Sequence, residues 1–146
     1  MTAPGSLVIG IGNPLRGDDG VGWRLAAELG PPHRSCQQLA PETAALLAPV
    51  QRVLFVDACC GEPCQPQLIP LATANAHVAV AGPGLAHHLT PAALLAISQQ
   101  LYGHTPSAWQ LLIPATDLSH GDALSAAMQA QLPRARQLLQ RWLRQP

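Results

Sequence analysis

The sequence predicts an α/β protein: a three-layer sandwich with a mostly parallel sheet of about five strands and helices on both faces. Three observations lead there. Short apolar runs alternate with segments of helical periodicity. The first apolar run ends in glycines that pass directly into a helical pattern. The run Arg52-Val-Leu-Phe-Val-Asp-Ala58 stays apolar until Asp57, as a central strand buried on both faces must. No linker-like stretch or internal repeat divides the 146 residues, so a single domain over 1–146 is expected.

The elements follow in order. Residues 7–11 read as a short buried strand. Residues 20–29 form a helix with Val21, Leu25 and Leu29 on one face. Residues 34–39 are a weaker strand. Pro41 and Glu42 open a short helix through Leu46 and Leu47, because proline suits a first turn. Residues 52–58 are the central strand, and residues 67–71, flanked by prolines, suit an edge. Thr90 caps and Pro91 starts a helix reaching Leu101. Residues 109–113 are the last strand. Ser125 caps a final helix to about Leu143, in which Pro133 forces a kink or a restart.

Composition narrows the function. With 48% hydrophobic and 11% charged residues the chain is neither disordered nor fibrous. The formal net charge of +0 argues against a nucleic-acid partner, which needs a basic footprint. Every basic residue is Arg, and no acidic residue follows Asp122, so Arg134, Arg136, Arg141 and Arg144 leave the C-terminal end basic. Cations in the last turns of a helix suit its dipole. Residues 1–6 have no basic start, and the following apolar run is broken by Gly10, Gly12, Asn13 and Pro14, unlike a signal peptide. No apolar run approaches the roughly 20 residues of a membrane span. A cytoplasmic protein without a membrane partner is expected, with its four cysteines as thiols.

In sheets of this kind ligands bind beyond the carboxyl ends of the strands. Asp18 and Asp19 follow the first strand and Asp57 ends the central one, so they share that rim. The glycine run is not a phosphate loop. The dinucleotide pattern fails at Leu15, and the P-loop pattern fails because Asp18 and Asp19 stand where Lys and Ser/Thr are required. One aspartate suffices to cap the next helix, and the second is surplus to that role. A tight capped turn and a cation site both remain open on spacing alone. Asp57 is costly to bury unless paired or bound to metal, although a cap for a neighbouring loop would also serve. Of the six histidines, His87 and His88 precede the Thr90 helix, and adjacent side chains diverge, so only one can serve the rim. Cys59, Cys60 and Cys64 lack a zinc-site spacing and read as buried or incidental thiols, with a redox or soft-metal role as the alternative.

The run Gly10-Ile-Gly-Asn-Pro-Leu-Arg-Gly-Asp-Asp-Gly-Val-Gly22 resembles the opening signature of the nickel–iron hydrogenase maturation endopeptidases. Val53-Leu-Phe-Val-Asp-Ala58 is similar to that family's second acidic motif. His87-His-Leu-Thr-Pro-Ala-Ala-Leu-Leu95 is similar to its histidine followed by a helix. The resemblance implies an endopeptidase that removes a C-terminal peptide from the nickel-loaded precursor of a hydrogenase large subunit. Carried over by position, Asp19, Asp57 and His87 are the implied catalytic and metal-contacting residues. The implied cofactor is nickel, carried by the substrate and contacted transiently. Two carboxylates and an imidazole suit a borderline divalent cation and leave positions for substrate donors. Asp19 stands where the family often has Glu, and His88 adjoins the implied histidine. Residues 38–43 differ from the glycine-rich form of some members, which bears on the hydrogenase served.

No Ser or Cys triad and no His-Glu-x-x-His helix is present. The metal could polarise the scissile carbonyl or activate water, or a carboxylate could act as general base; the sequence leaves these open. Two other functions are compatible with it: a non-enzymatic nickel chaperone or scaffold, and another hydrolase on a similar α/β fold.

Overall fold

In the computed structural model, which describes residues 5–60, 65–71 and 89–145, the described strands form one sheet. They are β1 (Ser6–Ile11), β2 (Arg34–Cys36), β3 (Arg52–Cys59), β4 (Gln67–Leu71) and β5 (Ser107–Pro114). Their order is β2-β1-β3-β5-β4. The first four run parallel, and β4 is an antiparallel edge on β5. Pro70 therefore sits on an edge strand, where a missing N–H is tolerated.

Side-chain alternation divides the core into two layers. Leu7, Ile9 and Ile11 of β1 join Val53 and Phe55 of β3 on one face. Helices α2 (Ala44–Leu47) and α3 (Pro91–Tyr102) cover it through Leu47, Leu94 and Leu95. Val8, Leu54 and Val56 face the other way. Helices α1 (Val21–Leu29) and α4 (Ala126–Arg144) cover that side through Leu25, Leu139 and Trp142. The predicted three-layer arrangement is present. Each of the two long late helices has its expected cap: Thr90 Oγ1 accepts from Ala93 N at 3.1 Å, and Ser125 Oγ accepts from Met128 N at 3.1 Å.

Helix α1 lies close on the sheet because two glycines permit it. A Cβ at Gly10 would collide with the Gly22 carbonyl oxygen, and one at Gly22 would collide with that of Val56. At the far end of the molecule Arg52 ties β3 to α4. Its guanidinium lies 4.2 Å from the Trp142 ring centroid and donates to the Trp142 carbonyl at 2.8 Å.

Three elements differ from expectation. β2 ends at Cys36 and does not reach Leu39. Its partner β1 ends at Ile11, opposite Cys36, so no ladder exists beyond that rung. Helix α1 begins at Val21, after a 3-10 turn over Gly17–Gly20. Helix α4 passes through exposed Pro133 as one helix, neither broken nor restarted. Met128 before that point and Ala135, Leu138 and Leu139 after it pack on the same cluster. Tertiary burial holds the helix where one backbone hydrogen bond is missing. No helix among the described residues is long and apolar enough to cross a membrane.

Candidate active site

The strand order reverses between β1 and β3. Successive crossovers leave to opposite sides of that point, which opens a crevice beyond the carboxyl ends of the two strands. A cleft of about 470 Å³ lies there. Asp19 and Asp57 both line it, with Gln37, Gln38 and Leu39 on one side and Leu89, Thr90 and Pro91 on another. Two of the three acidic residues predicted for the rim, Asp19 and Asp57, are thus brought together, and Asp18 is not among the residues lining the cleft. His87, His88, His77 and Cys64 lie outside the described residues. Leu89, two positions after His87, is a wall of the cleft.

The two adjacent aspartates divide into different roles, and neither caps a helix as the capped-turn reading requires. Asp18 points inward and is fully buried. Its Oδ1 accepts from Ser125 N at 2.8 Å. Its Oδ2 accepts from Ser125 Oγ at 2.7 Å, Thr116 N at 3.0 Å and Asp117 N at 3.1 Å. Burial acts to raise the Asp18 pKa, but these hydrogen bonds together outweigh it and hold the carboxyl below its usual value. Asp19 turns to the cleft, and its Oδ2 accepts from Asn13 N at 2.9 Å.

Asp57 continues the face of Val53 and Phe55 at the end of β3, one residue beyond Val56, the partner of Gly10. It is half-buried, and its Oδ1 accepts from Ala58 N at 2.8 Å. Burial pushes its carboxyl up to about 7; the Ala58 N–H pulls it down, and the charge of Asp19 pushes it further up. Among the described residues this one local hydrogen bond is what the carboxylate receives, so a loop cap within them accounts for little of its cost. The neighbouring thiols are muted. Burial, followed by the charge of Asp57, pushes Cys36 up to about 11, and Cys59 is raised in the same sense. Cys36, Cys59 and Cys60 are free thiols.

Two of the histidines have structural partners. His33 Nδ1 accepts from Val8 N at 2.9 Å, and burial lowers its pKa. His104 Nε2 lies 2.6 Å from the Val50 carbonyl. Among the described residues no three His, Cys, Asp or Glu side chains gather as a complete metal site. Sequence reasoning missed Arg16, Gln37 and Thr90 as cleft residues. Polar residues in loops carry no periodicity, and only the strand order places these three around one opening.

No family model matches the sequence, and no curated protein matches it either. Solved structures do. The protease HycI from Thermococcus kodakarensis KOD1, a [NiFe] hydrogenase maturation protease, is 19% identical with a TM-score of 0.69, over 96% of this chain and 92% of its own. The hydrogenase maturating endopeptidase HybD from E. coli is 18% identical with a TM-score of 0.71, over 95% and 91%. The hydrogenase 2 maturation peptidase from Thaumarchaeota archaeon SCGC_AB-539-E09 is 22% identical with a TM-score of 0.66, over 94% and 97%. The chain therefore has the α/β fold of the hydrogenase maturation proteases, along essentially its whole described length.

Proposed function

We propose that the chain is an endopeptidase that removes a C-terminal peptide from the large-subunit precursor of a nickel–iron hydrogenase, and that it reads the nickel held by that precursor. The observation that carries this reading is the meeting of Asp19 and Asp57 in one cleft at the sheet's switch point. The fold shared with hydrogenase maturation proteases and the glycine motif that precedes Asp19 support it. Two carboxylates in one cleft, with one hydrogen bond each among the described residues, suit a divalent cation, whose charge relieves their repulsion. The set is incomplete as a resident site. With His87 as the third donor it leaves coordination positions for softer groups on the precursor. The nickel is thus part of the substrate.

In this mechanism Asp19, Asp57 and His87 contact the nickel and so fix the scissile bond against the cleft. A precursor without nickel lacks that contact and is not positioned. When bound, the nickel would stabilise the charge that develops as water attacks, and a carboxylate of the cleft would accept the proton. Such assembly work belongs in the cytoplasm, where the precursor is built.

Asp19→Asn, Asp57→Asn and His87→Ala should each give a folded protein that processes nickel-loaded precursor at least about a hundredfold more slowly. Circular dichroism checks the fold, and peptide release measures the rate. His88→Ala should process normally. Wild-type rates in the first three variants would reject the assignment, and loss in His88→Ala alone would move it by one residue.

A further inference from the structure

We infer that Asp18 and Arg24 form a clamp that positions Asp19 by locking the glycine-rich turn to the segment between β5 and α4. Neither side chain lines the cleft. Both join pieces of chain about a hundred residues apart. Asp18 gathers the donors of Thr116, Asp117 and Ser125 on one carboxylate. Arg24, on α1, donates to the Pro14 carbonyl at 3.3 Å and also to the carbonyl of Asp122. Backbone bonds complete the seam: Gly17 N to Gly121 O at 2.9 Å, Gly121 N to Leu15 O at 2.8 Å and Asp18 N to Asp117 O at 2.9 Å. Gly17 is required in it. Its φ is +55°, and a Cβ there would lie 2.6 Å from the Asp117 carbonyl oxygen.

The step from Asp18 to Asp19 is geometric. Both sit in the 3-10 turn Gly17–Gly20, where successive side chains point about 120° apart. With Asp18 pinned inward, the turn cannot rotate about its own axis, so Asp19 is directed into the cleft. There its Oδ2 meets Asn13 N. Asp18 and Arg24 are positioning residues: they act through Asp19 and touch no reacting group. The claim about position stands apart from the proposed activity, whereas its effect on turnover rests on that reading.

Amide hydrogen exchange on the full chain in dilute denaturant tests the clamp. In the wild type the amides of Asn13, Thr116, Asp117 and Ser125 should open together, with one free energy and one denaturant slope. In Asp18→Asn, an NH2 replaces an acceptor facing several donors, and Asn13 should exchange about tenfold or more faster. The Leu94 amide, bonded to the Thr90 carbonyl on the other face, should stay within about twofold as the control. Arg24→Met should shift Asn13 in the same direction. Precursor processing by Asp18→Asn should fall in kcat with little change in KM. Independent opening of Asn13 in the wild type overturns the clamp, whether or not the variant folds. Wild-type Asn13 protection in a folded Asp18→Asn protein overturns it equally. Faster Asn13 exchange with undiminished processing would uphold the clamp and contradict the role proposed for Asp19.

Discussion

Asp57 shows the conflict between stability and chemistry at the scale of a residue. Its carboxyl is raised from 3.8 to about 7, first by burial and then by the charge of Asp19, against the pull of the Ala58 N–H. The folded protein therefore holds this proton more tightly than the unfolded chain does. Stability from this group is fully present below about pH 4, erodes as the pH rises toward 7, and stays at its lower level above that. Asp57→Asn removes the titration. The variant should match the wild type near pH 4 and exceed it near pH 8, by no more than about 4 kcal/mol. Urea denaturation at the two pH values checks this, and parallel pH profiles would contradict it. A residue that opposes folding at neutral pH is one whose presence calls for a functional reason.

At the scale of elements, the contact between α1 and the sheet sets where the aspartate turn can lie. Helix propensity alone says that Gly22→Ala should stabilise α1 by about 1 kcal/mol. Packing says the opposite, because the new Cβ would lie 2.7 Å from the Val56 carbonyl carbon as well as against its oxygen. We expect packing to win, with a loss of about 1–3 kcal/mol in chemical denaturation. A gain would show that α1 can move away from β3 without penalty. The same contrast explains which elements were legible. Leu7 to Ile11, the run up to Asp57, and the Thr90 and Ser125 caps are written in local patterns, and each appears where those patterns put it. The end of β2 was not legible, because it depends on where β1 stops. Nor was the unbroken passage of α4 through Pro133, because the packing that holds it comes from β4 and β5.

For the molecule as a whole, the candidate site was half legible. Asp57 announced itself as a charge at the end of an apolar run, and the glycine motif singled out a pair of aspartates. Which aspartate faces the cleft was not readable from spacing. Asp18 is taken up by Thr116, Asp117 and Ser125, residues 98 to 107 positions away, and no local pattern encodes such partners. Nickel-dependent cleavage is the central claim, and one experiment addresses it directly. The protein is incubated separately with metal-free and nickel-loaded large-subunit precursor, and the released C-terminal peptide is measured by mass spectrometry. The account predicts release from the nickel-loaded precursor alone, unaffected by free nickel added with the metal-free one. Equal release from both would contradict it, as would no release from either accompanied by tight stoichiometric nickel uptake by the isolated protein.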